Sequence, residues 1–376
     1  MVYIYSILYR LVLYPLLIFS GTKVLGPKTV RLIRSILFIE FGLALLGVLL
    51  HRHIQHPLMS LYMSAGLFIF FSLGYASAFA LGMNGLRLLD NRHLGWYSSL
   101  GARGKRIGQG ATLALSAIIF VLCLYSGYHN VRYPEVVHER LFIERLTPQG
   151  VAAEHRLRLA LLTDLHIGEG ITPDYVERAV ELILAEQPDL ILVGGDYIDH
   201  DIIYAREDRI QSAMRRLTAP HGTYYVLGNH EYRSDTLANM SWVAEVGGTL
   251  LIDSVAYPAD SLIALVGRDD YVNLSRRALH ELTAELDQAR PIILLEHTPQ
   301  GIDSLQNNPI DLALYGHTHG GQLWPMHALI WLKYGIIEGR KEQGQTTIHV
   351  SSGIGAAGAP YRIGTRSQIV IYDLYW

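Results

Sequence analysis

The sequence predicts an N-terminal α-helical transmembrane region followed by an α/β domain, and three observations lead there. Apolar runs crowd the first 130 residues, whereas the later sequence mixes charges, turns and short apolar segments. From Leu157 onward, apolar runs of strand length alternate with stretches of helical periodicity. Asp, Asn and His residues recur where those strand-length runs stop.

Half of the 376 residues are apolar and mean hydropathy is +0.21. Four stretches, 2–20, 35–50, 58–81 and 111–128, read as helices of a transmembrane region over residues 1–128. A crossing needs roughly 20 residues, with a range of about 17 to 25, which the third and fourth stretches meet. The second is short and carries Glu40, while the first carries Arg10 and Pro15. These two are therefore expected to be tilted, partly interfacial or paired in a bundle. A cleaved leader fits poorly, because the basic residues follow the first apolar run instead of preceding it.

Loop charge predicts orientation, since cytoplasmic loops concentrate Lys and Arg. Lys23, Lys28, Arg31 and Arg34 separate the first two stretches, and Arg87, Arg92, Arg103, Lys105 and Arg106 separate the third and fourth. The loop between the second and third offers only Arg52. An integral membrane protein of the cell or inner membrane is expected, with everything after residue 128 on the extracytoplasmic side. The lipid bilayer is then a partner. Net charge is −3 and the pI is near 6.6, so no basic face for nucleic acid is expected. The single cysteine, Cys123, rules out an intramolecular disulfide and a cysteine-ligated zinc finger.

Residues 129–154 read as a linker that becomes the first edge of a domain over 155–376. Strands are predicted at 157–163, 190–194, 223–227, 262–266, 292–295, 312–315, 347–350 and 368–373. One helix starts with Thr172 as N-cap and Pro173 in its first turn, places Val176, Val180, Ile183 and Leu184 at helical spacing and stops before Pro188. A second helix is predicted over about 275–288.

The strand ends carry Asp164-Leu165-His166, Gly195-Asp196, Gly228-Asn229-His230-Glu231, Glu296-His297 and Gly316-His317-Thr318-His319. In open α/β sheets the carboxyl ends of strands converge on one crevice, so these side chains are expected to meet. Carboxylate, amide oxygen and imidazole without thiolate suit Mn, Fe or Zn. Gly194, Gly195, Gly228, Gly316, Gly320 and Gly321 would let the backbone turn sharply there. His221, His280, His327 and His349 have no motif partner and read as ordinary polar residues. Asp199, His200 and Asp201 read as a solvated loop.

Gly353 to Gly358 spells G-x-G-x-x-G, but Pro360 follows where a dinucleotide site needs a helix, so a glycine loop at a pocket rim is expected instead. Arg362 and Arg366 beside it are candidate phosphate contacts, with Arg362 the preferred substrate-binding residue. The apolar segment 323–337 reads either as a wall contacting acyl chains or as a buried strand pair.

Taken together and in order, Asp164-x-His166, Gly195-Asp196, Gly228-Asn229-His230-Glu231, His297 and Gly316-His317-x-His319 resemble the calcineurin-like metallophosphoesterase superfamily over roughly residues 157–375. The details GGDYID, EHTP and GHTHGGQ look similar to the branch that joins this domain to N-terminal transmembrane helices. The resemblance implies a four-layer α/β/β/α sandwich with two divalent metal ions between the strand ends. It implies that Asp164, His166 and His319 hold one ion, that Asn229, His297 and His317 hold the other, and that Asp196 bridges them. His230 is then left free as the catalytic general acid, with Glu231 orienting it or capping nearby backbone. Hydroxide attack on a phosphodiester, phosphomonoester or pyrophosphate follows, with a lipid-linked compound as candidate substrate. Two rival readings are a cytoplasm-facing pyrophosphatase acting on a nucleotide-linked lipid precursor and a membrane sensor or scaffold with a structural metal site.

Overall fold

The computed structural model describes residues 10, 27–50, 57–93, 95–146, 153–168, 170–199 and 201–376. The chain divides into two compact units, Met1–His129 and Asn130–Trp376.

In the first unit the described helices are α1 (Pro27–Leu50), α2 (Pro57–His93) and α3 (Ala102–Arg132). Among the described residues, three segments are long and apolar enough to cross a membrane: Pro27–Leu50, Ser64–Asp90 and Ala102–Arg132. Each helix extends beyond its apolar stretch into basic flanks, because backbone pairing inside a helix is satisfied whatever the side chain. The stretch 2–20 lies outside the described residues apart from Arg10. The Arg10 guanidinium donates to the Glu40 carboxylate at 2.8 Å and to the Gly66 carbonyl at 3.0 Å. The two charges that seemed out of place in apolar segments thus neutralise each other. After α2, the Asp90 carboxylate accepts from the backbone N–H groups of Trp96, Tyr97 and Ser98 and fixes the turn that follows.

The second unit is two six-stranded sheets. Its strands are β1 (Glu135–Phe142), β2 (Arg156–Leu162), β3 (Leu190–Gly194), β4 (Thr223–Val226), β5 (Thr249–Leu250), β6 (Ser254–Ala256), β7 (Ala264–Gly267), β8 (Ile292–Leu295), β9 (Leu312–Tyr315), β10 (Gly339–Gln343), β11 (Thr346–Val350) and β12 (Gln368–Tyr375). The first sheet runs β1-β12-β2-β3-β4-β5 and the second β10-β11-β9-β8-β7-β6.

Strand periodicity builds the layers. In β2, Leu159 and Leu161 face one way and Ala160 and Leu162 the other. The first pair joins Leu192, Ile293, Leu295, Leu312 and Leu314 in a core between the sheets. The second pair packs with Val176, Val180 and Ile183 of helix α4 (Pro173–Ala185), Met214 of α6 (Asp208–Arg216) and Trp242 of α7 (Thr236–Glu245). Outside the second sheet, Val266, Ile292 and Leu294 meet Leu279 and Leu282 of α8 (Leu279–Thr283) and Leu305 of a 3₁₀ turn over Ile302–Asn307. The order is helices, sheet, sheet, helices, as expected. Helix α4 begins as predicted, with the Thr172 hydroxyl accepting from the Tyr175 N–H.

Three departures from expectation have physical causes. The segment 129–154 supplies the first edge of the domain, as expected, but as a full strand inside the expected linker: β1 runs parallel to β12 along all eight of its residues. The helix predicted over 275–288 forms only over Leu279–Thr283. Around it, the side chains of Asn273 and Asp287 accept the N–H groups of Ser275 and Ala289 and divert the backbone into turns. Within 323–337 there is no buried strand pair: the segment forms helix α9 (His327–Tyr334), no residue of that helix is buried, and only Ile336 beyond it is.

Candidate metal centre

Five of the residues that meet at the strand ends adopt the left-handed backbone region: Asp164 (φ 55°), His166 (49°), Asp196 (49°), His317 (71°) and His319 (50°). Asp and His tolerate that region better than most side chains, but each such residue still costs on the order of 1 kcal/mol or more, and such strain concentrates where function requires it. Glycine is needed between them. A Cβ on Gly195, itself at φ 81°, would sit 2.8 Å from His297 Nδ1, and a Cβ on Gly353, at φ 74°, would sit 2.5 Å from Asp164 Cβ.

The side chains converge in two groups, Asp164 with His166 and His319, and Asp196 with His297 and His317, each group presenting donor atoms within 4.8 Å of one another. In the first, His166 Nε2 lies 3.0 Å from His319 Nε2, and Asp164 Oδ1 is 3.4 Å from His319 Nε2. Asp196 Oδ2 stands between the groups, 3.7 Å from His166 Nε2 and 3.2 Å from His297 Nε2. Asn229 Oδ1 is buried with no hydrogen-bond partner among the described residues. An orphaned amide oxygen beside crowded imidazoles and carboxylates is the donor set of a divalent cation site, and the residues present fit one.

Protonation follows from burial. His317 is pushed down to about 3 by burial and by neighbouring His297, and His319 is also held well below the ordinary imidazole value by burial and by His166. Both are therefore neutral, the state that offers a lone pair to a metal. Burial opposes charge on His297 too, but adjacent Asp196 outweighs it and holds that imidazole well above its usual value. His297 Nδ1 hydrogen-bonds the Gly194 carbonyl at 2.8 Å, which turns Nε2 toward Asp196.

A third group shares His166 with the first: His166, Asp199 and His230 also present donor atoms within 4.8 Å of one another, and the His166 and His230 ring centroids are 4.5 Å apart. His230 Nδ1 is 2.7 Å from Asp199 Oδ1 and its Nε2 is 3.8 Å from Asp196 Oδ2, so one nitrogen is anchored while the other faces the site. Asp199 thus belongs to the site, which corrects its reading as a solvated loop residue. The sequence signal was its position three residues beyond Asp196. His200 lies outside the described residues, and Asp201 caps helix α5 (Ile202–Ala205) through the Ile203 N–H. Glu231 caps backbone: its carboxylate accepts from the N–H groups of Asp196, Ile198 and Gly228. Burial and the Asp196 charge push Glu231 up to about 7.

Arg362 is placed differently from expectation. Its side chain is wholly buried and its guanidinium donates to the carbonyls of Ser352, Gly353, Gly355 and His319. It ties the glycine loop to the His319 backbone and presents no N–H to a substrate. Arg366 instead pairs with Glu135. The glycine loop packs under the Asp164 turn, with Ile354 and Gly355 N–H groups donating to the Thr163 and Asp164 carbonyls. Asp270 was missed at sequence level although it too follows a strand end. It is buried, accepts from the Thr298 hydroxyl at 2.6 Å and is raised by burial. The Tyr271 and Tyr334 rings meet the His317 ring nearly at right angles, at centroid distances of 6.5 and 5.7 Å.

Comparison with known proteins gives a consistent result. A family model described as calcineurin-like phosphoesterase matches residues 157–321. A Helicobacter pylori protein described as an uncharacterised metallophosphoesterase is 32% identical over 256 residues, covering 66% of this chain and 65% of that protein. A transmembrane protein with metallophosphoesterase domain from Danio rerio is 30% identical over 276 residues, covering 69% of this chain and 61% of that one. The chain thus spans a little under two thirds of the length of these relatives. Among solved structures, a dimetal phosphatase from Danio rerio aligns over 53% of this chain and 88% of its own at 12% identity, with a TM-score of 0.35.

Proposed function

We propose that this chain, whose residues 157–321 carry a calcineurin-like phosphoesterase domain, is a membrane-anchored hydrolase of phosphate esters or phosphoanhydrides. The observation that carries the reading is Asp196 Oδ2, placed between His166 and His297 at 3.7 and 3.2 Å, where one carboxylate can serve two cation sites at once. Asp164, His166 and His319 would hold one divalent ion and Asn229, His297 and His317 the second, with Mn, Fe and Zn the candidates for this donor set. Such ions supply Lewis acidity toward phosphoryl oxygens and lower the pKa of water toward 7. The chain's own contribution is order and proton control. His230, anchored by Asp199 and with Nε2 3.8 Å from Asp196 Oδ2, is positioned to deliver a proton to the leaving oxygen. Glu231 fixes the loops that carry Asp196 and Asn229. The left-handed turns hold the ligands in place before substrate arrives.

The substrate is a phosphate compound, and the membrane helices favour a lipid-linked one, presented on the extracytoplasmic side as loop charge indicates. The test is hydrolysis of bis-p-nitrophenyl phosphate and p-nitrophenyl phosphate by the full chain in detergent, with and without Mn²⁺, beside Asp196→Asn and His230→Ala. Turnover that needs metal and is lost in both variants supports the reading. A metal-loaded chain that cleaves neither compound nor a lipid phosphate overturns it. Reactivity of an Asp303→Cys variant with an impermeant maleimide on intact cells checks orientation, and labelling only after permeabilisation reverses it.

A further inference from the structure

Apolar side chains stand exposed on the loops that leave the carboxyl ends of the site's strands. A lone exposed leucine is ordinary on a soluble surface. Here four separate loops carry one or more: Ile203 after β3, Leu237 after β4, Leu274 after β7, and Trp324, Trp331 and Leu332 after β9. Leu274 is 95% exposed, Leu237 77% and Leu332 71%. These are the same loops that deliver Asp199, His230, Asp270 and His319. Two of them converge on one metal-site imidazole, since Tyr271 and Tyr334 both face the His317 ring.

Helix α9 is the strongest part of this surface. Ile330 and Tyr334 share its inner side, while Ala328, Leu329 and Leu332 fall on the outer side and are exposed. An outer helix face in water is normally polar. The helix's one formal charge, Lys333, lies over the Tyr334 ring with Nζ 4.6 Å from its centroid. Trp, Leu and a single Lys make the composition of a helix that lies in a lipid–water interface. A bilayer is also within covalent reach: only Tyr133 and Pro134 separate the membrane-capable helix α3 from β1.

We propose that α9 and the Leu274 loop form an interfacial docking element that enters the lipid–water boundary, so that the metal centre opens among lipid headgroups. The proposal rests on the membrane-anchored part of the reading above and is independent of the bond cleaved.

The test uses the full chain carrying Cys123→Ser, reconstituted in vesicles of phosphatidylcholine and phosphatidylglycerol, with a nitroxide attached at Leu332→Cys, Leu274→Cys or, as control, Glu181→Cys on helix α4. Collisional relaxation by oxygen and by a water-soluble nickel chelate reports depth. Oxygen is expected to exceed the chelate several-fold at 332 and 274, with the order reversed at 181. Preference for the chelate at 332 and 274 overturns the proposal. Protection from both reagents overturns it too, and means that a second copy of the chain covers the face. Because no turnover is measured, a positive depth result beside an inactive enzyme sinks the phosphoesterase reading alone.

Discussion

Replacing Asp199 with Asn tests whether the anchored histidine is a proton donor. The carboxylate lies 2.7 Å from His230 Nδ1, with side-chain exposures of 13% and 7%, so water screens the contact weakly. A charge-assisted hydrogen bond of this kind contributes about 1.5 to 3 kcal/mol. At about 1.36 kcal/mol per factor of ten, its loss predicts a fall in kcat of roughly 10- to 150-fold. Aryl phosphates with good and poor leaving groups should be compared. If His230 protonates the leaving oxygen, the poor leaving group suffers more, because a nitrophenolate departs without help. Asp199 Oδ1 is also 3.4 Å from His166 Nδ1, so bound metal must be measured alongside. Equal losses on both substrates with full metal content would refute the proton-donor role, and a loss below about threefold would refute the anchoring role of Asp199.

Other expectations follow from the same coordinates. Glu40→Leu leaves the buried Arg10 guanidinium uncompensated and should cost about 3 kcal/mol, read as a lower melting temperature in detergent, whereas Arg10→Leu together with Glu40→Leu should recover most of it. Gly353→Ala forces a methyl onto Asp164 at an unfavourable φ and should weaken metal binding at least tenfold by titration calorimetry; unchanged affinity would show that the Asp164 turn yields. His349 is pushed down to about 4 by burial, with its Nδ1 2.7 Å from the Tyr372 hydroxyl. The unfolded chain binds that proton near 6.5, so stability is full above 6.5 and falls as pH drops toward 4, by up to about 3 kcal/mol. Chemical denaturation across that range should show the slope, and His349→Gln should flatten it.

How far the sequence reveals this molecule depends on whether a feature is local. Strand-length apolar runs such as 190–194, 292–295 and 312–315 fold as predicted, because strands buried on both faces need continuous apolar composition. That the candidate ligand residues come together was legible because strand ends converge. Strand β1 was not, since its partner β12 lies more than 230 residues away and the run Glu135–Phe142 carries three charges, on Glu135, Glu139 and Arg140. Asp199 looked like a loop residue because its role depends on the approach of His230 from another strand. Arg362 was misread for a related reason. A cation beside a glycine loop can bind phosphate or gather carbonyls, and only the packing of that loop under Asp164 decides between them.

The position of β12 bears on how the chain is made. This strand sits between β1 and β2, so the first sheet cannot close until residues 368–375 have left the ribosome. Until then β1 has no partner and β2 has a bare edge, each able to pair wrongly with another chain. Contacts between residues so distant in sequence also form slowly. The first sheet of the second unit should therefore remain open until nearly all of that unit has been synthesised.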